Sequence, residues 1–229
     1  MAKNPIRRDS FDFLRQLAAN NNREWFTANK QRYIDEVRDP LLEFIADCGP
    51  LLAKISKYIV ADPRPVGGSL FRIYRDTRFS KDKSPYKTAA AMSFHHAGGT
   101  DEAPSPGFYL HLEPGRVFMG AGLWRPPAET LKQIRDSIVA KPKRWQSVRR
   151  SRGCAPDEPY EDGKLKRPPQ GYDPEHPFIE DLKYKSFISS VTYTQAEACT
   201  PTFPTRFIAA CRQKAPLMEF LAQAVGQRW

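Results

Sequence analysis

Residues 107–122 read GFYLHLEPGRVFMGAG, and this segment constrains the fold more than any other. On either side of Pro114-Gly115 the side chains alternate between apolar and polar with a period of two, the pattern of a hairpin with one dry and one wet face. A turn centred on Pro114-Gly115 sets Glu113 opposite Arg116, Leu112 opposite Val117, His111 opposite Phe118, Leu110 opposite Met119 and Phe108 opposite Ala121. Phe108, Leu110, Leu112, Val117, Met119 and Ala121 then share the core face, while Tyr109, His111, Glu113, Arg116, Phe118, Gly120 and Gly122 share the other. A slip of one residue would exchange the two sets, so the chain needs an antiparallel sheet in this register and a layer to cover its apolar side.

The flanking sequence supplies such a layer. Phe11, Leu14 and Leu17 fall on one helical face after a cap at Ser10, Asn22 starts a second helix at Arg23-Glu24-Trp25-Phe26, and a third follows Pro40. That third run places Leu41, Phe44, Ile45, Cys48, Leu52 and Ile55 at helical spacing, with a break or kink at Gly49-Pro50. From residue 69 the period changes to two. Ser69 to Asp76 reads as a half-buried strand with Phe71 and Ile73 on one side and Arg72, Tyr74 and Asp76 on the other, followed by a polar turn and a second strand over Thr88 to His95. Beyond the hairpin, a helix opening at Pro126-Pro127 turns Leu131, Ile134 and Ile138 inward. Residues 141–177 hold seven prolines and little periodicity, which predicts a long surface excursion. A short strand is expected over Tyr184 to Val191, and a helix from Thr202 to the end, divided at Pro216. The architecture expected is one α+β domain with its core within 11–225: an antiparallel sheet of about four to six strands covered by N- and C-terminal helices.

Charge narrows the partners. The chain carries 36 Lys+Arg against 26 Asp+Glu, a formal charge of +10, and the excess is local: residues 71–87 hold six basic residues against two acidic, and 141–152 hold six against none. Such fields attract nucleic acid or phosphorylated metabolites, although runs of this kind also serve as plain solvated surface. Four cysteines without a C-x-x-C pair support neither structural zinc nor a redox motif. No run approaches the ~18 apolar residues of a membrane span. The N-terminal MAKNPIRRDSFDF lacks the apolar centre of a secretory signal, so a cytoplasmic protein is expected; nothing in the sequence fixes its oligomeric state.

The segment LFRIYRDTRFSKDKSPYK, residues 70–87, carries the chemistry. Arg72, Arg75, Arg78, Lys81, Lys83 and Lys87 are interleaved with Phe71, Tyr74, Phe79 and Tyr86 on a strand that runs into a turn. Guanidinium forks and turn N–H groups suit a phosphate, so Arg72, Arg75, Arg78, Lys81, Lys83, Tyr86 and Lys87, with Arg125 after the hairpin, are the ligand-binding candidates. The ligand would be a phosphorylated small molecule or a nucleic-acid backbone. Acid–base candidates are His111 and Glu113 on the wet hairpin face and Asp76 on the adjoining strand, with Gly120 and Gly122 leaving room for a ligand. Tyr74, Phe79, Tyr109 and Phe118 would stack bases in a nucleic-acid module or pack across strands in a structural one. The competing reading is a structural or interaction protein in which Asp76 and Asp82 lock the arginines into a buried ion-pair network. His95, His96, His111, Asp101 and Glu102 lack diagnostic spacing, so neither a metal nor another cofactor is expected.

The chain resembles the bacterial and fungal family called domain of unknown function 2461. The resemblance rests on the run Asn22 to Phe26, on RIYRDTRFSKDKSPYK from Arg72 to Lys87, on Gly107-Phe108-Tyr109 continuing to Glu113-Pro114-Gly115, and on Gly120 to Trp124. It covers about residues 11–225 and implies a compact single domain; it brings no activity, cofactor or catalytic residue to transfer.

Overall fold

The computed structural model describes residues 4–99, 104–157 and 163–229, and its architecture is α+β. The N-terminal layer comprises α1 (Arg8–Ala19), α2 (Arg23–Ala28), α3 (Lys30–Tyr33), a π-helical turn (Ile34–Arg38) and α4 (Asp39–Ala53). Asn22 caps α2 by accepting the Trp25 N–H at 2.9 Å, as expected. Ser10 caps nothing. It lies inside α1, buried, and its hydroxyl donates to the Glu36 carbonyl at 2.5 Å, tying α1 to the π-helical turn.

Four strands form an antiparallel sheet in the order β1 (Ala90–His95), β2 (Gly107–Glu113), β3 (Arg116–Leu123), β4 (Phe187–Tyr193). The hairpin register is the one read from the sequence, from Glu113 opposite Arg116 to Phe108 opposite Ala121. Leu110 and Met119 are fully buried neighbours on the core face. The fourth strand sits a little later than the expected Tyr184–Val191. On the expected strand Ser69–Asp76 the reading is corrected. Only its start touches the sheet, through Phe71 N–H to the Ala91 carbonyl and Ser93 N–H to the Ser69 carbonyl, after which the chain doubles back and pairs with itself, Arg75 N–H to Pro85 and Lys87 N–H to Ile73. The buried residues there are Ser69, Leu70 and Ile73, whereas Phe71 is 46% exposed, so the apparent period of two belongs to no ladder.

Between strands β3 and β4 run α5 (Ala128–Ala140), α6 (Pro142–Arg150) and α7 (Ile179–Leu182); α8 (Gln195–Ala198) and α9 (Phe203–Ala224) close the chain. The expected surface excursion is partly core. Trp145 is fully buried and its indole N–H donates to Asp181 at 2.8 Å, with Val148 and Cys154 buried beside it. Trp145 and Val148 are the buried residues of α6, too few to print a period among six basic neighbours. Helix α9 also continues through Pro216, and α4 through Gly49-Pro50. Each proline removes one N–H bond, yet buried residues on both sides, Cys211 and Leu217–Met218 in α9, hold the helix in place.

Two hydrophobic clusters result. One packs α1, α2 and α4 with the sheet; the other packs α5, α6 and the start of β4, and α9 contributes Phe207 and Cys211 to the first and Phe220 and Leu221 to the second. Lys214, on α9, is 2% exposed and its ammonium donates to the Gly153 carbonyl, the Ser189 hydroxyl and the Ser190 carbonyl. Burial pushes its pKa down. Both sheet edges are covered by irregular chain: residues 69–71 lie on β1, and Asp157 lies on β4, its N–H donating to Ile188 and its carboxylate accepting from Ser190.

Candidate functional site

The wet face of β1 and β2 is the floor of an open concavity of about 700 Å³, walled by the doubled-back segment 71–89 and by the end of α1. Asn21, Arg75, Asp82, Ser84, Lys87, Thr88, Tyr109 and His111 line it with polar groups. The wall is fixed from behind. Asn21 treats Tyr86 as a strand partner, donating from its amide to the Tyr86 carbonyl at 3.0 Å and accepting the Tyr86 N–H at 3.1 Å, while the Tyr86 ring stacks on Phe26 with centroids 4.1 Å apart.

Along the segment the charged groups divide. Arg75 donates to Asp82 and, at 2.7 Å, to the Ser84 hydroxyl; Arg75 and Ser84 together hold the Asp82 carboxyl well below the usual carboxylate range. Arg78 grips Asp76 at 2.7 Å, which lowers the Asp76 pKa, and Lys83 donates to the Thr77 carbonyl at 2.9 Å. These bonds fasten the loop to itself in solvent: the Asp76 and Asp82 side chains are 44% and 62% exposed. The buried ion-pair network is therefore corrected to a solvent-facing one, because each aspartate finds an arginine within its own turn and needs no burial. Arg72 and Lys81 have no hydrogen-bond or ion-pair partner among the described residues.

Lys87 differs from the other cations. Its ammonium lies 5.4 Å from the Phe71 ring centroid inside the concavity, with no carboxylate partner among the described residues. Burial, and then the charge of Arg72, push its pKa below the ordinary lysine value.

The floor carries a hydrogen-bonded chain. The Tyr109 hydroxyl lies 3.0 Å from His111 Nδ1, and His111 Nε2 lies 3.1 Å from Glu113 Oε2. The imidazole stacks on Phe118 at 4.8 Å, the cross-strand partner expected from the register. Burial pushes the His111 pKa below its ordinary value; Glu113 opposes that shift and Arg116 adds to it.

Of the residues expected to bind a ligand, Arg75, Tyr86 and Lys87 line the concavity together with His111. Arg72, Arg78, Lys81 and Lys83 do not, because the loop turns them outward. Arg125 is also absent from the lining: it follows the far end of β3, where its N–H donates to the Ser186 hydroxyl and its φ of 42° marks a tight exit from the strand. Asp76 is taken by Arg78, whereas Glu113 reaches the site through His111. Gly120 is open as expected, but a Cβ on Gly122 would come within 2.0 Å of the Phe187 carbonyl, so that glycine admits a strand and not a ligand. Sequence reasoning missed Asn21, Ser84 and Thr88. The one signal for Asn21 is that Asn20-Asn21-Asn22 offers more asparagines than a single cap needs.

Among the described residues no group of three or more His, Cys, Asp or Glu is placed to hold a metal ion. His96 is engaged elsewhere, between the Arg228 carbonyl and the Gly98 N–H, and Asp101 and Glu102 lie outside the described residues. No described helix is long and apolar enough to cross a membrane. The family described as Conserved hypothetical protein (DUF2461) matches residues 9–220. No curated protein and no solved structure matches the chain.

Proposed function

The chain belongs to the DUF2461 family, and from that premise we propose that the concavity binds the phosphate group of a phosphorylated small molecule. The observation that carries the reading is Lys87: a partly desolvated ammonium, repelled by Arg72 and without a carboxylate partner of its own among the described residues, faces a cavity whose other polar groups are hydroxyls, an imidazole, the Asn21 amide, and the Arg75 guanidinium with the Asp82 carboxylate it already holds. An anion seated there relieves the repulsion between Lys87 and Arg72 and accepts from Thr88 and Arg75, the Ser84 hydroxyl being spent on Asp82. A concavity, in place of a basic stripe, favours a compact ligand over an extended nucleic-acid backbone. The four cysteines are free thiols, which suits the reducing cytoplasm.

Calorimetric titration with inorganic phosphate and with a sugar phosphate tests the reading. Lys87→Ala is expected to weaken binding at least about tenfold with little change in Tm, because the residue sits on the wall and not in the core. Binding that survives Lys87→Ala undiminished, or a wild-type protein that binds neither compound, sinks the proposal. An oligonucleotide bound with a steep salt dependence would transfer the site to nucleic acid.

A further inference from the structure

We propose that Tyr109, His111 and Glu113 form a proton relay in which Tyr109 is the general base toward a hydroxyl of the ligand in the concavity. The inference rests on the phosphate reading for the ligand, and on the floor geometry for the relay. Tyr109, His111 and Glu113 alternate along β2, so all three side chains leave the same face and reach one another in sequence at 3.0 and 3.1 Å. Tyr109 and His111 line the concavity; Glu113 stands behind them. The order is hydroxyl, imidazole, carboxylate, the arrangement in which a buried imidazole takes a proton from a hydroxyl while a carboxylate stabilises the imidazolium that forms.

Burial keeps His111 neutral, and Glu113 beside Nε2 fixes the proton on that nitrogen, so Nδ1 is left to accept the Tyr109 hydroxyl. Burial outweighs the charged groups: Glu113 favours protonation of the imidazole and Arg116 on β3 opposes it, while the cavity wall presents Arg75 and Lys87 together with the Asp82 carboxylate and β1 contributes the uncharged Ala91. In the step proposed, the ligand O–H proton passes to the Tyr109 oxygen as the Tyr109 proton passes to His111 Nδ1. The ligand is left as an alkoxide near Lys87, the imidazolium faces Glu113, and no electron pair leaves either molecule. Tyr109 is the catalytic residue of this scheme; His111 and Glu113 position and charge it.

A phenol activated in this way should react with an electrophile without any knowledge of the natural substrate. An arylsulfonyl fluoride is the probe: the tyrosine oxygen bonds to sulfur, fluoride leaves with the S–F pair, and the phenol proton goes to the imidazole. Peptide mass spectrometry compares Tyr109 with Tyr74, which is 50% exposed but lies outside the relay. Tyr109 should be labelled at least about tenfold faster, with a rate that rises with pH as His111 loses its proton. Glu113→Gln, at the half-buried outer end of the relay, and His111→Gln should each slow Tyr109 and leave Tyr74 unchanged. Equal rates at the two tyrosines, or a Tyr109 rate untouched by both variants, overturns the relay. Inorganic phosphate should protect Tyr109. Fast relay-dependent labelling that phosphate fails to slow keeps the relay and removes the phosphate reading, whereas phosphate binding with slow labelling does the reverse.

Discussion

His111 is held between a phenol, a carboxylate and an aromatic ring, and its burial depresses its pKa from the ordinary 6.5. The unfolded chain binds the proton more readily than the folded one, so the folded state gains its full benefit above the ordinary value and loses it as pH falls through the depressed one. Thermal stability should decline on acidification from pH 7 to 5, and His111→Gln should flatten that decline. Ring NMR gives the direct check: a His111 titration midpoint at or above 6.5 would contradict the burial argument. At this scale the sequence was only partly legible. Six cations in residues 71–87 are visible in the string, but which of them finds an aspartate in its own turn depends on how the loop folds back, so Lys87 could not be told from Arg78. Asn21 was hidden for the same reason, since its partner Tyr86 lies far away in the chain.

The hairpin was readable because alternation and turn residues point to one register, and a one-residue error would have moved every side chain to the wrong face. The segment 69–76 was not, because an extended edge that bonds twice to a sheet and then turns on itself prints the same short pattern as a strand. Two glycines on β3 separate element geometry from ligand room. Gly122 has φ of 131° and packs its Cα against the β4 backbone, while nothing lies within 4 Å of a Cβ placed on Gly120. Gly122→Ala should cost about 2 to 4 kcal/mol, and Gly120→Ala should be neutral or stabilising by up to about 1 kcal/mol, both measured by urea unfolding. Equal costs at the two positions would mean that β3 and β4 do not approach as closely as described.

Across the whole molecule, α9 is the element that both hydrophobic clusters share, and Lys214 is the polar tie at their junction, reaching the chain before Cys154 and the backbone of β4 at once. Lys214→Ala removes the donor shared by the Ser189 hydroxyl and the Gly153 and Ser190 carbonyls, leaving Gly153 the Ser189 hydroxyl, and opens a cavity, at an expected cost of about 2 to 4 kcal/mol. Lys214→Met, which restores the packing but not the bonds, should recover part of that loss. If Lys214→Ala unfolds at the wild-type urea midpoint, the ammonium contributes nothing at this junction. The basic, proline-rich composition of 141–177 concealed the second cluster, since a single tryptophan and its few neighbours bury a surface that no periodicity announces. The covered rims of the sheet have a consequence of another kind. Residues 69–71 on one side and Asp157 on the other occupy backbone groups that would otherwise template a passing strand, so the sheet stops at four among the described residues and is guarded against growth into fibrils or exchange of strands between copies until one of those coverings peels away.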